Sequence, residues 1–363
     1  MWVYLSFLLV PLLQMASSRL APTPQRVGYG LIWLLLLIFI GLRREVGCDW
    51  NAYLLMFNRA ADRSLGEALG LNDAAYVMLN WAAARLGLGL AAVNAVCAAL
   101  FVTGFLRLAR IQPYPALALL IGVPVLLAVV GLGPTRQSAA IGLEMSAFAL
   151  FLSGRRGPAV ALLALAPLFH WTAVGMIPLI PLMFLRRPPP AWLIIAACAA
   201  LGIAIVIALF SLPAITARVA FVAPSDGAWF RQLPNLIAAV AAVILLIRGG
   251  FGERERVAVA FLVAVALVAL VLGFASTTAM DRIGYHAIPL QMIALTRAIQ
   301  WLARSDLKAM AATATTALYL ILFVGWLAMT TQKPCYVPYR SYLTSPGLTV
   351  GNGVPEPWVH RSR

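Results

Sequence analysis

Long apolar runs separated by short polar stretches fill the chain. They fall at 1–16, 29–42, 90–106, 114–132, 138–153, 158–169, 172–185, 191–211, 234–248, 257–275, 283–303 and 311–330. The runs are continuous and rich in Leu and Ala, without the alternation that marks barrel strands. A membrane-crossing helix needs about 20 mainly apolar residues, so the pattern predicts an all-α, polytopic transmembrane helix bundle of about twelve helices. The runs 158–169 and 172–185 are short enough to stop within the bilayer or re-enter. A further stretch, 74–88, mixes Tyr76, Asn80 and Arg85 with apolar residues and reads as an amphipathic helix, interfacial or re-entrant. No soluble domain and no internal repeat interrupts the pattern, so a single integral membrane domain over 1–363 is expected. The first run lacks a basic segment before it and an obvious cleavage site, and reads as a retained helix.

Composition sharpens this picture. Of 363 residues, 63% are hydrophobic and 11% charged, and the mean hydropathy is +0.92. A soluble chain carries about a quarter charged residues. This much apolar surface needs lipid as its solvent, and in lipid the backbone must pair with itself. The net charge of +15 is spread as pairs between apolar runs, not gathered in one patch, so it points to a bilayer and not to nucleic acid. Only Lys308 and Lys333 are lysines; the other basic residues are arginines, which grip phosphate or carboxylate with two parallel hydrogen bonds.

The short loops with simple basic pairs (Arg19/Arg26, Arg107/Arg110, Arg155/Arg156, Arg186/Arg187, Arg248/Arg254/Arg256, Arg297/Arg304/Lys308) fall on one side of a twelve-helix arrangement, read as cytoplasmic. The other side holds 43–73, the turns at Pro134–Arg136 and His170, 212–233, 276–282 and the tail 331–363, and both termini. Cys97 and Cys198 lie in apolar runs and read as packing residues. Cys48 and Cys335 fall on the same outer side, where they are either free thiols or a disulfide. No cysteine–histidine metal cluster and no cofactor motif occurs.

Five polar clusters stand out on the outer side. Arg43-Arg44-Glu45-Val46-Gly47-Cys48-Asp49-Trp50-Asn51-Ala52-Tyr53 follows the second run. Interfacial anchoring accounts for its arginines and aromatics, but not for Glu45 and Asp49, which suit orienting or basic roles. Pro134-Thr135-Arg136-Gln137 opens a helix, whose N-terminus and arginine together favour phosphate oxygens. Glu144 lies two turns deeper on the same face and requires a partner. Phe169-His170-Trp171-Thr172 joins the two short helices; its histidine is structural or catalytic. Asp281-Arg282-Ile283-Gly284-Tyr285-His286 reads as a helix start, with Asp281 as its cap or as a support for Arg282, and with Arg282, Tyr285 and His286 on one face. Pro334-Cys335-Tyr336-Val337-Pro338-Tyr339-Arg340 suits sugar stacking or anchoring. Several arginines beside a lipid surface suit a lipid-linked diphosphate.

In order along the chain, Arg44-x-x-Gly47-x-Asp49-x-x-x-Tyr53-x-x-x-Phe57, Arg136-Gln137, Phe169-His170, Arg282 with Tyr285, and Tyr336-x-x-Tyr339 resemble the EpsG-like, Wzy-type polymerases of bacterial exopolysaccharides, over roughly residues 29 to 340. The resemblance implies a GT-C-like glycosyltransferase of the bacterial inner membrane. It would move a growing glycan from undecaprenyl diphosphate onto a lipid-linked repeat unit at the outer face, with a chain-length regulator and export machinery as companions. In that setting His170 and Asp49 are the candidate bases, His170 being favoured. Arg43, Arg44, Arg136, Gln137, Arg282, Tyr285, Tyr53 and Tyr339 are the candidate substrate contacts, with no metal and no cofactor. An O-antigen-type ligase, or a flippase without covalent chemistry, remains an open reading.

Overall fold

Helices occupy the apolar runs, and lipid is the only solvent that suits what they expose. The computed structural model describes residues 2–18, 22–70, 73–210 and 224–344. Of the expected segments, Met1, Arg19, residues 71–72, 212–223 of the outer loop and 345–363 of the tail lie outside the described residues. A 3₁₀ turn at Trp2–Leu8 leads into α1 (Leu9–Ser18), followed by α2 (Pro22–Gly41), α3 (Trp50–Ala61), α4 (Leu65–Leu69), α5 (Ala74–Arg85) and α6 (Gly89–Arg110). Then come α7 (Pro115–Gly122), α8 (Thr135–Leu152), α9 (Arg156–Leu165), α10 (Leu179–Phe184) and α11 (Ala191–Phe210). The chain continues with α12 (Ala228–Ile247), α13 (Glu253–Gly273), α14 (Thr277–Trp301), α15 (Ser305–Met329) and the short α16 (Lys333–Tyr336). Among the described residues there is no β-strand; one isolated bridge pairs Arg43 with Ser341. Among the described residues four helices, α6, α12, α13 and α15, are long and apolar enough to cross a membrane. Large apolar side chains such as Ile247, Phe274 and Met329 are 80%, 82% and 83% exposed. The protein is therefore an all-helical membrane protein.

The centre is α8 together with α7 and its continuation. Most of α8 is buried, and α6 crosses it so closely that a Cβ on Gly104 would collide with the carbonyl of Gly142. Small residues at such a crossing let two backbones meet without a hydrophobic driving force between them. After α7 the chain widens into a π-helix at Val123–Val130, all of it buried. Pro124 has no N–H to offer, and Gly131 N donates to Leu126 O, five residues back, at 2.7 Å. The wide turn delivers Val129 and Gly133 to a cavity wall.

Several boundaries differ from the hydrophobic pattern. The expected outer loop 43–73 contains α3 and α4. The amphipathic stretch forms α5, whose Tyr76 and Asn80 are buried against neighbouring helices; these two turn inward, where Tyr76 meets Arg136, while Arg85 stays exposed. The run expected from 234 starts at Ala228, because Pro234 sits inside the helix. The run expected from 283 starts at Thr277, where the Ser276 hydroxyl accepts from Ala279 N at 3.2 Å. Asp281 is thus inside α14 and is not its cap. The two short runs are broken further: 3₁₀ turns at Ala166–Leu168 and Trp171–Met176 flank an extended His170.

Two distant chain segments close over the bundle. Cys48 and Cys335 form a disulfide, with Cα atoms 4.9 Å apart across 287 residues of sequence. Gly47 N donates to Cys335 O at 2.8 Å, Arg44 N to Arg340 O at 3.0 Å and Tyr342 N to Leu42 O at 2.9 Å. Gly47 has φ 99°, and a Cβ there would strike the Leu132 carbonyl, so only glycine fits.

Candidate active site

A cavity of about 110 Å³ opens beneath this closure. Cys48 and Asp49 line it from the closure segment, Pro134 and Gln137 from the start of α8, Arg282 and Tyr285 from α14, and Tyr336 from α16. Residues nearly 290 positions apart therefore share one small space, and they come from four of the five polar clusters.

Asp49 precedes the first turn of α3 yet its carboxylate makes no capping hydrogen bond. An aspartate at that position ordinarily accepts from the second or third helical N–H. Gln137 is fully buried. Its Nε2 donates to the Arg282 carbonyl, while its Oε1 has no partner. An unpaired buried acceptor costs about 1–3 kcal/mol.

Behind Gln137 lies a buried polar chain. Gln137 Nε2 is 3.2 Å from His286 Nε2, Thr172 Oγ1 is 2.8 Å from the same nitrogen, and His170 Nδ1 is 2.6 Å from Thr172 Oγ1. His286 Nδ1 faces the Glu144 carboxylate at 2.8 Å. That partner fixes the tautomer: Nδ1 carries the proton and donates, which leaves Nε2 as an acceptor toward Thr172 and Gln137. Glu144, fully buried, thereby finds the partner that a carboxylate at such depth requires. His170, in the break between the short helices, is 2% exposed and does not line the cavity. Burial pulls its pKa well below the usual value, and the nearby Arg136, His286 and Arg282 add to the effect.

Two ion pairs flank the cavity. Arg136 pairs with Asp73, and its guanidinium lies 5.9 Å from the Tyr53 ring centre and 6.0 Å from that of Tyr76. Asp73 also accepts from Trp171 N at 3.1 Å, which ties the break at His170 to the start of α5. Burial pushes the Asp73 carboxyl up, and Arg136 pulls it back. Asp73 has φ 61°, a left-handed conformation that Asp tolerates better than most residues. On the other flank Arg231 Nε donates to Asp281 Oδ1 at 3.1 Å, and Arg231 Nη2 to Ser225 Oγ at 2.8 Å.

The structure divides the candidate residues. Asp49, Gln137, Arg282 and Tyr285 line the cavity. Tyr53 is buried beneath Arg136. Arg43 is buried and spent on the fold, donating to Ile40 O at 2.6 Å, Val46 O at 3.3 Å and Thr135 Oγ1 at 2.7 Å. Arg44 points to Glu45, at 3.6 Å, and to the Tyr342 ring. Tyr339 stacks on Phe39 and donates its hydroxyl to Phe39 O at 2.7 Å. Asp73 and Arg231 escaped sequence reasoning. Their signal was the presence of charge beside apolar runs, where a charge needs a partner. Among the described residues no three His, Cys, Asp or Glu side chains converge as a metal site.

Residues 27–341 match the EpsG family. No curated protein and no solved structure matches the chain.

Proposed function

The chain belongs to the EpsG family, and from that premise we propose that it is a polysaccharide polymerase, a membrane glycosyltransferase of exopolysaccharide biosynthesis. It transfers a growing glycan from undecaprenyl diphosphate onto a lipid-linked repeat unit at the outer face of the bacterial inner membrane. The observation that carries this reading is the convergence of Asp49, Gln137, Arg282, Tyr285 and Tyr336 on one cavity. The proposal includes twelve crossings or re-entrant passes in a GT-C-like arrangement, with the disulfide side outward. A disulfide suits that oxidising side.

An acceptor hydroxyl attacks the anomeric carbon of the donor sugar. Its proton passes to the Asp49 carboxylate as the new C–O bond forms. The bond from the anomeric carbon to the diphosphate breaks, and the electron pair leaves with the phosphate oxygen. Arg282 meets the charge developing there, in a fixed site with little water to reorganise. Gln137 takes a hydrogen bond from a sugar hydroxyl, and Tyr285 and Tyr336 bound the sugar. A cavity of about 110 Å³ suits the reacting groups alone, so the glycan and the polyprenyl chain extend out of it. His170, held behind the cavity, positions Thr172 and through it His286 and Gln137. The reaction is metal-independent, its cationic help coming from arginine.

Purified protein in lipid nanodiscs, supplied with undecaprenyl-diphosphate-linked repeat units, should produce a glycan ladder on a gel. Asp49→Asn should produce none while inserting normally. Transfer of one glycan to a non-lipid acceptor without a ladder identifies a ligase. Translocation without bond formation identifies a flippase. Either outcome overturns the polymerase reading.

A further inference from the structure

A second and larger cavity, about 480 Å³, lies at the opposite ends of the same helices. The first cavity takes Gln137 from the start of α8, and this one takes Phe151, Leu152 and Ser153 from its end. Eighteen residues of helix separate the two by about 27 Å, close to the hydrocarbon thickness of a bilayer. The cavity therefore belongs to the leaflet opposite the disulfide.

Its wall combines two chemistries. Arg156 comes from the first turn of α9, Arg186 from the segment after α10 and Arg254 from the first turn of α13. None of the three makes a hydrogen bond or ion pair with any described residue. Glu255 also lines the cavity, but it is held by Arg297 and by Gly252 N at 3.1 Å. Glu253 is the remaining carboxylate there. Three guanidiniums against one unpaired carboxylate leave an excess of positive charge. Like charges gathered at the edge of a low-dielectric body repel one another unless an anion lies among them. Beside them runs an apolar surface that includes Ile111, Leu182 and Leu185.

We propose that this cavity binds an anionic phospholipid, with the phosphodiester head among Arg156, Arg186 and Arg254 and an acyl chain along the apolar wall. The arginines offer forked donors that fit phosphate oxygens. Basic pockets between membrane helices are where acidic lipid heads dock. The volume exceeds what a lone phosphate fills, and the apolar wall gives a free anion nothing to bind. The occupant is therefore a lipid and not a soluble phosphate. This site is independent of the polymerase reading, because it uses none of the residues of the first cavity.

The chain supplies its own control. Arg155 and Arg187 adjoin Arg156 and Arg186 in sequence but do not line the cavity. The intact protein, in phosphatidylcholine nanodiscs, is titrated with a fluorescent phosphatidylglycerol, and separately with inorganic phosphate and glycerol 3-phosphate. Bound lipid is counted by native mass spectrometry. The double variant Arg156→Gln/Arg186→Gln should weaken phosphatidylglycerol binding roughly tenfold or more, as loss of two charge-assisted hydrogen bonds implies. Arg155→Gln/Arg187→Gln, with the same change in net charge, should bind like wild type. Equal losses in both variants would reduce the effect to general attraction and overturn the site. No loss in either would do the same. Phosphate or glycerol 3-phosphate competing at the affinity of the lipid would show a soluble anion site and refute the lipid assignment. If Arg156→Gln/Arg186→Gln expresses poorly, Arg254→Gln, at an exposed side chain, provides the same readout.

Discussion

Arg136 offers the sharpest test of how charge is used around the first cavity. In the structure it is already committed: it pairs with Asp73, whose side chain is 2% exposed, and it lies over two tyrosine rings. Arg136→Ala would strand the Asp73 carboxylate in a buried site. Breaking one side of a buried pair costs about 3–5 kcal/mol, mostly as the penalty on the charge left behind. Loss of the two ring contacts adds about 0.5–1 kcal/mol each. Asp73→Asn in the same chain removes the stranded charge, so the double variant should be less destabilised than the two single effects together, by about 2 kcal/mol or more. Thermal unfolding in detergent of the four proteins of this cycle, wild type included, measures the coupling. Trp171 N is the second partner of Asp73; Asn retains an acceptor for it, so that bond contributes little to the difference. Additivity within about 0.5 kcal/mol would refute the pairing. Arg136 would then be free for a diphosphate, as its position at the start of a helix led us to expect.

Arg282→Lys should insert normally and lose roughly ten- to a hundredfold in polymerisation rate, because the lysine keeps the charge but not the planar fork. An unaltered rate in a ladder assay would make Arg282 an anchor. Polymerisation should survive EDTA; abolition reversed by Mg²⁺ or Mn²⁺ would mean that Asp49 binds metal. Glu144→Ala leaves His286 Nδ1 without its partner and should lower the melting temperature, whereas Glu144→Gln keeps an acceptor and should lose less; equal losses would contradict the assigned tautomer. Cys48 and Cys335 should react with a membrane-impermeant maleimide only after reduction, and from the outer side; labelling without reductant would refute the disulfide.

The helices were legible because lipid leaves the chain few alternatives to long apolar runs with internally paired backbones. Their boundaries were less so. Pro234 looks like a first helical residue, yet α12 begins at Ala228 and carries the proline inside it. Asp281 looks like a cap, yet the Ser276 hydroxyl caps α14, and Asp281 pairs with Arg231. In the site, ordered short motifs marked Asp49, Gln137, Arg282 and Tyr285, all of which reach the cavity. Neighbours in sequence do not share a fate. Arg43 is buried against backbone carbonyls while Arg44 turns toward Glu45, and no local pattern distinguishes two adjacent arginines after an apolar run. Nor does a local pattern reveal that Arg136 reaches back to Asp73 or that Arg231 reaches forward to Asp281. Those pairs depend on which helices become neighbours, and that is decided by packing such as the Gly104–Gly142 crossing.

The closure segment sets the order of events in the life of the molecule. One wall of the first cavity comes from residues 48 and 49 and another from Tyr336, so the site does not exist while the ribosome is still making α15. A nascent chain can insert almost all of its helices and still lack the cavity. A product that stops before α16 lacks Cys335 and Tyr336, and with them the disulfide and one wall of the cavity. The cavity is therefore complete only once α16 has been made, and the covalent link to Cys48 then holds its two walls together.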